Sequence, residues 1–303
     1  MAATDLAVLW SSMSSPVQNH NYSDSLVFDG LTLGYNSHPA VHHLDGTLER
    51  GSLTAVVGPN GSGKSTLMKA IAGILKPMAG AIRVDSGQRI AYLPQQSEVD
   101  RHFPARVQDL VALGLWPRRG LTGWFTRSDK AEVMKALSAV GLEGFEDRSL
   151  DTLSGGQLQR ALFARVLLQD ADLILLDEPF NAVDTKTVGD LVALIRHWHG
   201  EGRTVIVVVH DMALVRAVFP EALLLARQEI AWGRTAEVLT DDNLARARRF
   251  TEAWNENAAW CDAPGDMHRH DGHVHHGHSH ADHDHAHHDH SSHDHSDHAH
   301  GIR

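Results

Sequence analysis

The stretch Gly58-Pro59-Asn60-Gly61-Ser62-Gly63-Lys64-Ser65 constrains this chain more than any other feature. Ahead of it, Leu53-Thr54-Ala55-Val56-Val57 has the apolar, β-branched character of a short strand. Behind it, Leu67, Met68, Ala70, Ile71 and Leu75 recur at helical spacing as far as Lys76-Pro77. Strand, glycine-rich turn and helix in that order make a cradle for phosphate. Glycines let the backbone wrap closely, its N–H groups point inward, and the start of the helix faces the anion. Lys64 brings a point charge to the β- and γ-phosphates, and the Ser65 hydroxyl suits Mg²⁺. ATP is the expected ligand, held by residues 58–65 and by Thr66.

A second motif supplies acids. Leu173-Ile174-Leu175-Leu176 reads as a buried strand that delivers Asp177, Glu178 and Pro179 to the edge where the phosphate loop sits. Asp177 suits Mg²⁺ and Glu178 suits general-base work on the attacking water. A third motif, Leu153-Ser154-Gly155-Gly156-Gln157, precedes the amphipathic stretch from Leu158 to Leu168. By itself it is either a second anion-binding helix start or an ordinary helix capped by Ser154. Spacing alone gives no reason for two phosphate sites.

Together these residues resemble the ATP-binding cassette (ABC) family over roughly residues 25 to 240, with its LSGGQ signature at 153–157. The resemblance implies an α/β P-loop NTPase fold of ABC type, with a mainly parallel core sheet, an antiparallel β subdomain and an inserted helical subdomain at about 97–160. It implies two copies pairing head to tail, so that Ser154, Gly155, Gly156 and Gln157 act in trans on the other copy's ATP. Carried over residue by residue, Tyr35 is the aromatic expected on adenine and Gln95 the loop glutamine that senses Mg²⁺. Gln96, adjacent to it, leaves that register open. Asp184 is the aspartate that crosses the pair, although Val183 stands where many members have Leu. His210, after the strand-like run Val205–Val209, is the histidine that contacts the γ-phosphate, beside Glu178 and Gln95 in the catalytic set.

The rest of the chain sets limits. Residues 1–24 read as a flexible lead-in without the basic start of a signal peptide. Val107, Leu110, Val111 and Leu113, and later Val133, Leu137 and Val140, predict helices, with a Gly/Pro/Trp-rich loop from Gly114 to Phe125 between them. Strand and helix then alternate: 173–176, 187–197, 204–209 and 212–218. Residues 241–261 read as a C-terminal helical segment. No apolar run approaches the roughly 20 residues that a membrane-spanning helix needs. With one cysteine, Cys261, no intrachain disulfide forms.

The formal net charge is -11, and a nucleic-acid partner held by a basic surface is not expected. Eight aspartates and two arginines from Asp262 onward account for -6 of that charge. The same tail, 262–303, carries 16 of the 24 histidines: His268, His270, His273, His275, His276, His278, His280, His283, His285, His287, His288, His290, His293, His295, His298 and His300. Neutral imidazole binds Zn²⁺, Cu²⁺ and Ni²⁺, and the spacing offers many interchangeable zinc sites rather than one closed tetrahedron. Such a tract builds no core and is expected to be disordered without metal.

Glu98-Val99-Asp100-Arg101-His102-Phe103-Pro104 and Asp177-Glu178-Pro179-Phe180 resemble the metal-importer branch of the family, whose ATPases serve zinc, manganese and iron chelates. The expected partners are therefore a second copy, an integral membrane metal permease and, indirectly, an extracytoplasmic metal-binding protein. The expected place is the cytoplasmic face of the membrane. Zinc import is the leading expectation. Manganese or iron-chelate import, metal export, and a non-transport ABC ATPase with a metal-storing tail are the alternatives.

Overall fold

The computed structural model describes residues 24–36, 38–120 and 125–253. Most of the 1–24 lead-in, residues 254–261 of the C-terminal segment and the whole 262–303 tail with its histidines lie outside the described residues.

The glycine-rich stretch follows the central strand of a six-stranded sheet. Its strands are β3 (Leu53–Val57), β5 (Ile90–Leu93), β6 (Leu173–Leu176), β7 (Thr204–Val208), β8 (Glu221–Leu225) and β9 (Glu229–Arg234). They run in the order β5-β6-β7-β3-β8-β9; all neighbours are parallel except β8 and β9. Successive residues of a central strand feed opposite sides. Ala55, Ile174 and Val207 join one core cluster, while Val56, Leu175 and Ile206 join the other. Burial on both faces explains why these strands are continuously apolar rather than alternating. A three-stranded antiparallel sheet, β2-β1-β4, is formed by β1 (Asp24–Tyr35), β2 (His38–Glu49) and β4 (Ala79–Val84).

Helix α1 (Lys64–Ile71) follows the glycine-rich turn, buries Leu67 and Met68, and stops well short of the expected Lys76. Gly73 takes φ 74°, a left-handed conformation that ends a helix at little cost when no side chain is present. Between β5 and β6 lie α2 (Val107–Ala112), α3 (Trp116–Arg119), α4 (Arg127–Ala139) and α5 (Gly155–Gln169). Helix α3 falls inside the stretch expected to be loop. Pro117 is tolerated there because it sits in the first turn, where its missing N–H has no intrahelical acceptor. Residues 121–124 of that stretch lie outside the described residues. Helices α6 (Thr185–Gly200), α7 (Met212–Val218), α8 (Thr235–Val238) and α9 (Asp241–Ala253) complete the described chain. No helix among the described residues is long and apolar enough to cross a membrane.

Candidate nucleotide site

Four adjacent parallel strands, β5, β6, β7 and β3, end at the same edge of the sheet, so the loops that follow them share one space. That space is a cavity of about 800 Å³, lined by Ala40, residues 60–66, Gln95, Glu178, Asn181 and His210. The turn before α1 contains Gly58, Gly61 and Gly63 at φ 152°, 73° and 93°. A Cβ on Gly58 would lie 1.9 Å from the Leu225 carbonyl oxygen, so any side chain there would push the turn off β8. Gly58 and Pro59 do not line the cavity. Their carbonyls instead accept from Lys64 Nζ at 3.0 and 2.7 Å and hold the ammonium at the mouth of the turn. The amides of Gly61, Gly63, Lys64 and Ser65 have no acceptor among the described residues, which leaves four donors for an anion. Burial lowers the Lys64 pKa, and Glu178 and Asp177 nearby oppose that shift.

Below this floor the Ser65 hydroxyl donates to Asp177 Oδ1 at 3.2 Å and receives Gln95 Nε2 at 2.9 Å. Hydroxyl, amide and carboxylate are the oxygen donors that a hard cation such as Mg²⁺ takes. Asp177 is fully buried, and burial raises its pKa from 3.8 to about 6, partly countered by the Ser65 hydrogen bond. The folded chain therefore binds this proton more tightly than the unfolded chain. Stability without nucleotide and metal falls as pH rises between about 4 and 6, and the deficit persists above. Asp177→Asn is expected to stabilise the nucleotide-free chain at pH 8 by on the order of 1–3 kcal/mol, seen as a higher melting temperature, and to make no difference near pH 4. Paired melts at the two pH values check this; an equal shift at both would refute the assignment to charge burial.

Glu178 stands where the chain leaves β6, at φ 51°, a conformation that non-glycine residues seldom adopt. Its Oε1 lies 2.6 Å from His210 Nε2, and its Oε2 accepts from the Asn181 side chain. His210 follows β7, so the pair is assembled by neighbouring strands 32 residues apart in sequence. A carboxylate held between an imidazole and an amide, beside a phosphate cradle, has the geometry to take a proton from water.

The other expected residues lie elsewhere. Tyr35, at the end of β1, is 48% exposed and does not line the cavity, whereas Ala40 of β2 does. Ser154 caps α5 in a reciprocal box: its hydroxyl accepts from the Gln157 amide at 3.2 Å, and Gln157 Oε1 accepts from the Ser154 amide at 2.9 Å. None of residues 154–157 lines the chain's own cavity. The amides of Gly155 and Gly156 have no acceptor among the described residues. Asp184 caps α6, and the Thr187 amide and hydroxyl that it accepts from keep its pKa below the ordinary value.

Sequence reasoning missed Asn181, Ala40 and the phenol of Tyr92, which donates to Asp177 Oδ2 at 3.5 Å. No motif marks the first two. The apolar-then-tyrosine run before Gln95 was the only signal for the third.

Comparison with known proteins agrees with this geometry. The sequence profile of the ABC transporter family matches residues 41–181. The chain is 41% identical over 228 residues to the zinc transport system ATP-binding protein TroB of Treponema pallidum, covering 72% of this chain and 85% of that protein. It is 40% identical over 225 residues to the manganese transport system ATP-binding protein MntA of Synechocystis, covering 71% and 86%. Among solved structures, a metal-chelate type ABC transporter in an inward-facing conformation superposes with a TM-score of 0.67 at 30% identity, covering 75% of this chain and 90% of that one. The fold and these relatives establish that this chain is an ATP-hydrolysing member of the ABC transporter family.

Proposed function

We propose that this chain powers an importer of a divalent transition metal, with zinc as the cargo. The observation that carries the reading is the near-equal identity, 41% and 40%, to relatives named for zinc and for manganese transport. Identity does not separate the two metals. The histidine- and aspartate-rich tail favours zinc, because imidazole prefers it to manganese.

ATP phosphates sit on the amides of Gly61, Gly63, Lys64 and Ser65, with Lys64 on the terminal groups. Ser65, Gln95 and Asp177 hold Mg²⁺, which when bound neutralises charge between the phosphates. Glu178 takes the proton of the attacking water, while His210 orients Glu178 and meets the γ-phosphate. A second copy lends Ser154, Gly155, Gly156, Gln157 and Asp184; their place outside the chain's own cavity supports that pairing. Tyr35 supports adenine from the rim.

A membrane permease docks where Ile74 and Trp116, 63% and 54% exposed, border a groove beside the Gln95 segment. An extracytoplasmic metal-binding protein acts on the permease from its other side. This places the chain on the cytoplasmic face of the membrane. The 16 tail histidines buffer or sense zinc there.

Uptake of zinc and of manganese, measured separately in cells lacking the chain, tests the reading. The wild-type chain should restore zinc uptake, Glu178→Gln should not, and a chain ending at Cys261 should restore uptake but lose its response to zinc supply. Restoration of manganese uptake alone transfers the cargo to manganese. An unchanged zinc response in the truncated chain removes the tail from the mechanism.

A further inference from the structure

Gln95 and Gln96 are neighbours whose side chains reach different helices. Gln95 Nε2 donates to Ser65 Oγ at 2.9 Å, at the start of α1. Gln96 Nε2 donates to the Gly155 carbonyl at 2.6 Å, at the start of α5. Two residues on, Glu98 accepts from Lys69 Nζ at 2.8 Å, in the last turn of α1. The Gln96–Glu98 turn is itself closed by Glu98 N–H to the Gln95 carbonyl at 3.0 Å and Val99 N–H to the Gln96 carbonyl at 3.2 Å. One short, internally bonded turn is thus fixed to both ends of the phosphate-binding helix and grips the first residue of the signature helix.

We infer that Gln96 is a positioning residue that couples the two nucleotide sites of the pair. The inference rests on the paired-site reading above. Nucleotide entering a chain's own cavity competes for the Ser65 hydroxyl that now accepts from Gln95, so Gln95 must re-form its hydrogen bonds. A shift there crosses one peptide to Gln96. The Gln96–Gly155 bond is short and partly buried, and leaving either group without its partner there is costly, so the Gly155 carbonyl follows rather than lets go. Each chain then presents its Gly155 and Gly156 amides to the other chain's nucleotide according to the occupancy of its own cavity. The consequence is positive cooperativity in ATP.

Two variants test it. Gln96→Glu keeps the shape but sets an acceptor against the Gly155 carbonyl, and Gln96→Ala removes the contact. ATPase rate against ATP concentration should give a wild-type Hill coefficient approaching the two sites of the pair and a coefficient of about 1 in both variants. ATP binding to the isolated chain should be unchanged, which a general loss of folding would not allow. Amide exchange of residues 155–158 should slow on ATP addition in the wild type and not in the variants. A steep curve kept by both variants, or a wild-type curve without cooperativity, overturns the inference alone. A Glu178→Gln chain that stays monomeric at saturating ATP overturns the paired-site reading, and this inference with it.

Discussion

Glu178→Gln is expected to lower ATP turnover about 10²–10⁴-fold while leaving ATP binding intact. Glutamine fills the same volume and keeps hydrogen bonds to the His210 ring and the Asn181 amide, so the cavity holds its shape. What it loses is the ability to take a proton. The groups that hold phosphate, the Lys64 ammonium and the amides of Gly61, Gly63, Lys64 and Ser65, are on another loop and are untouched. Removing a negative charge from the cavity wall also relieves repulsion with the phosphates, so ATP should bind at least as tightly as before. Single-turnover hydrolysis and equilibrium binding on the same preparation separate the two quantities. A variant keeping more than about a tenth of wild-type turnover would take Glu178 out of the role of base and shift the search to His210.

The phosphate cradle was legible because its residues are consecutive, and one turn of backbone sets their geometry. The same holds for Ser154, whose place before an amphipathic stretch offers the helix cap that forms; its reciprocal bond with Gln157 is seen only in the structure. Contacts between strands were less legible. Glu178 and His210 meet because β6 and β7 are neighbours, and strand order is a property of the whole sheet. Gln95 and Gln96 are indistinguishable by type; only the backbone decides which faces Ser65 and which faces Gly155. Strand β2 left little signal. Its sequence mixes His38, Pro39, His42 and His43 with apolar residues, and its burial alternates irregularly through bulges in its pairing with β1. The left-handed backbone at Glu178 had no signal either, since glutamate rarely adopts it and tertiary structure enforces it.

Gly156→Asp is expected to lower hydrolysis about 10³-fold while sparing nucleotide binding to the single chain, the opposite of what a local role would give. Gly156 lies in the first turn of α5, and a Cβ built there would meet nothing closer than Asp184 Oδ2 at 3.6 Å, an ordinary contact. A carboxylate near a helix start is favoured by the helix dipole, which offsets the like charge of Asp184 beside it, so α5 should keep its fold. The chain's own phosphate cavity does not include residue 156 and should bind ATP as before. Facing a partner's γ-phosphate, however, the new carboxylate would sit about 4 Å from like charge, a repulsion of about 4 kcal/mol at an effective dielectric of 20. Turnover should therefore fall about 10³-fold, and ATP-driven pairing in the Glu178→Gln background should disappear. If Gly156→Asp instead weakens ATP binding to the monomer, the signature acts on its own chain's nucleotide. If turnover survives, the amides at the start of α5 are a helix cap and nothing more.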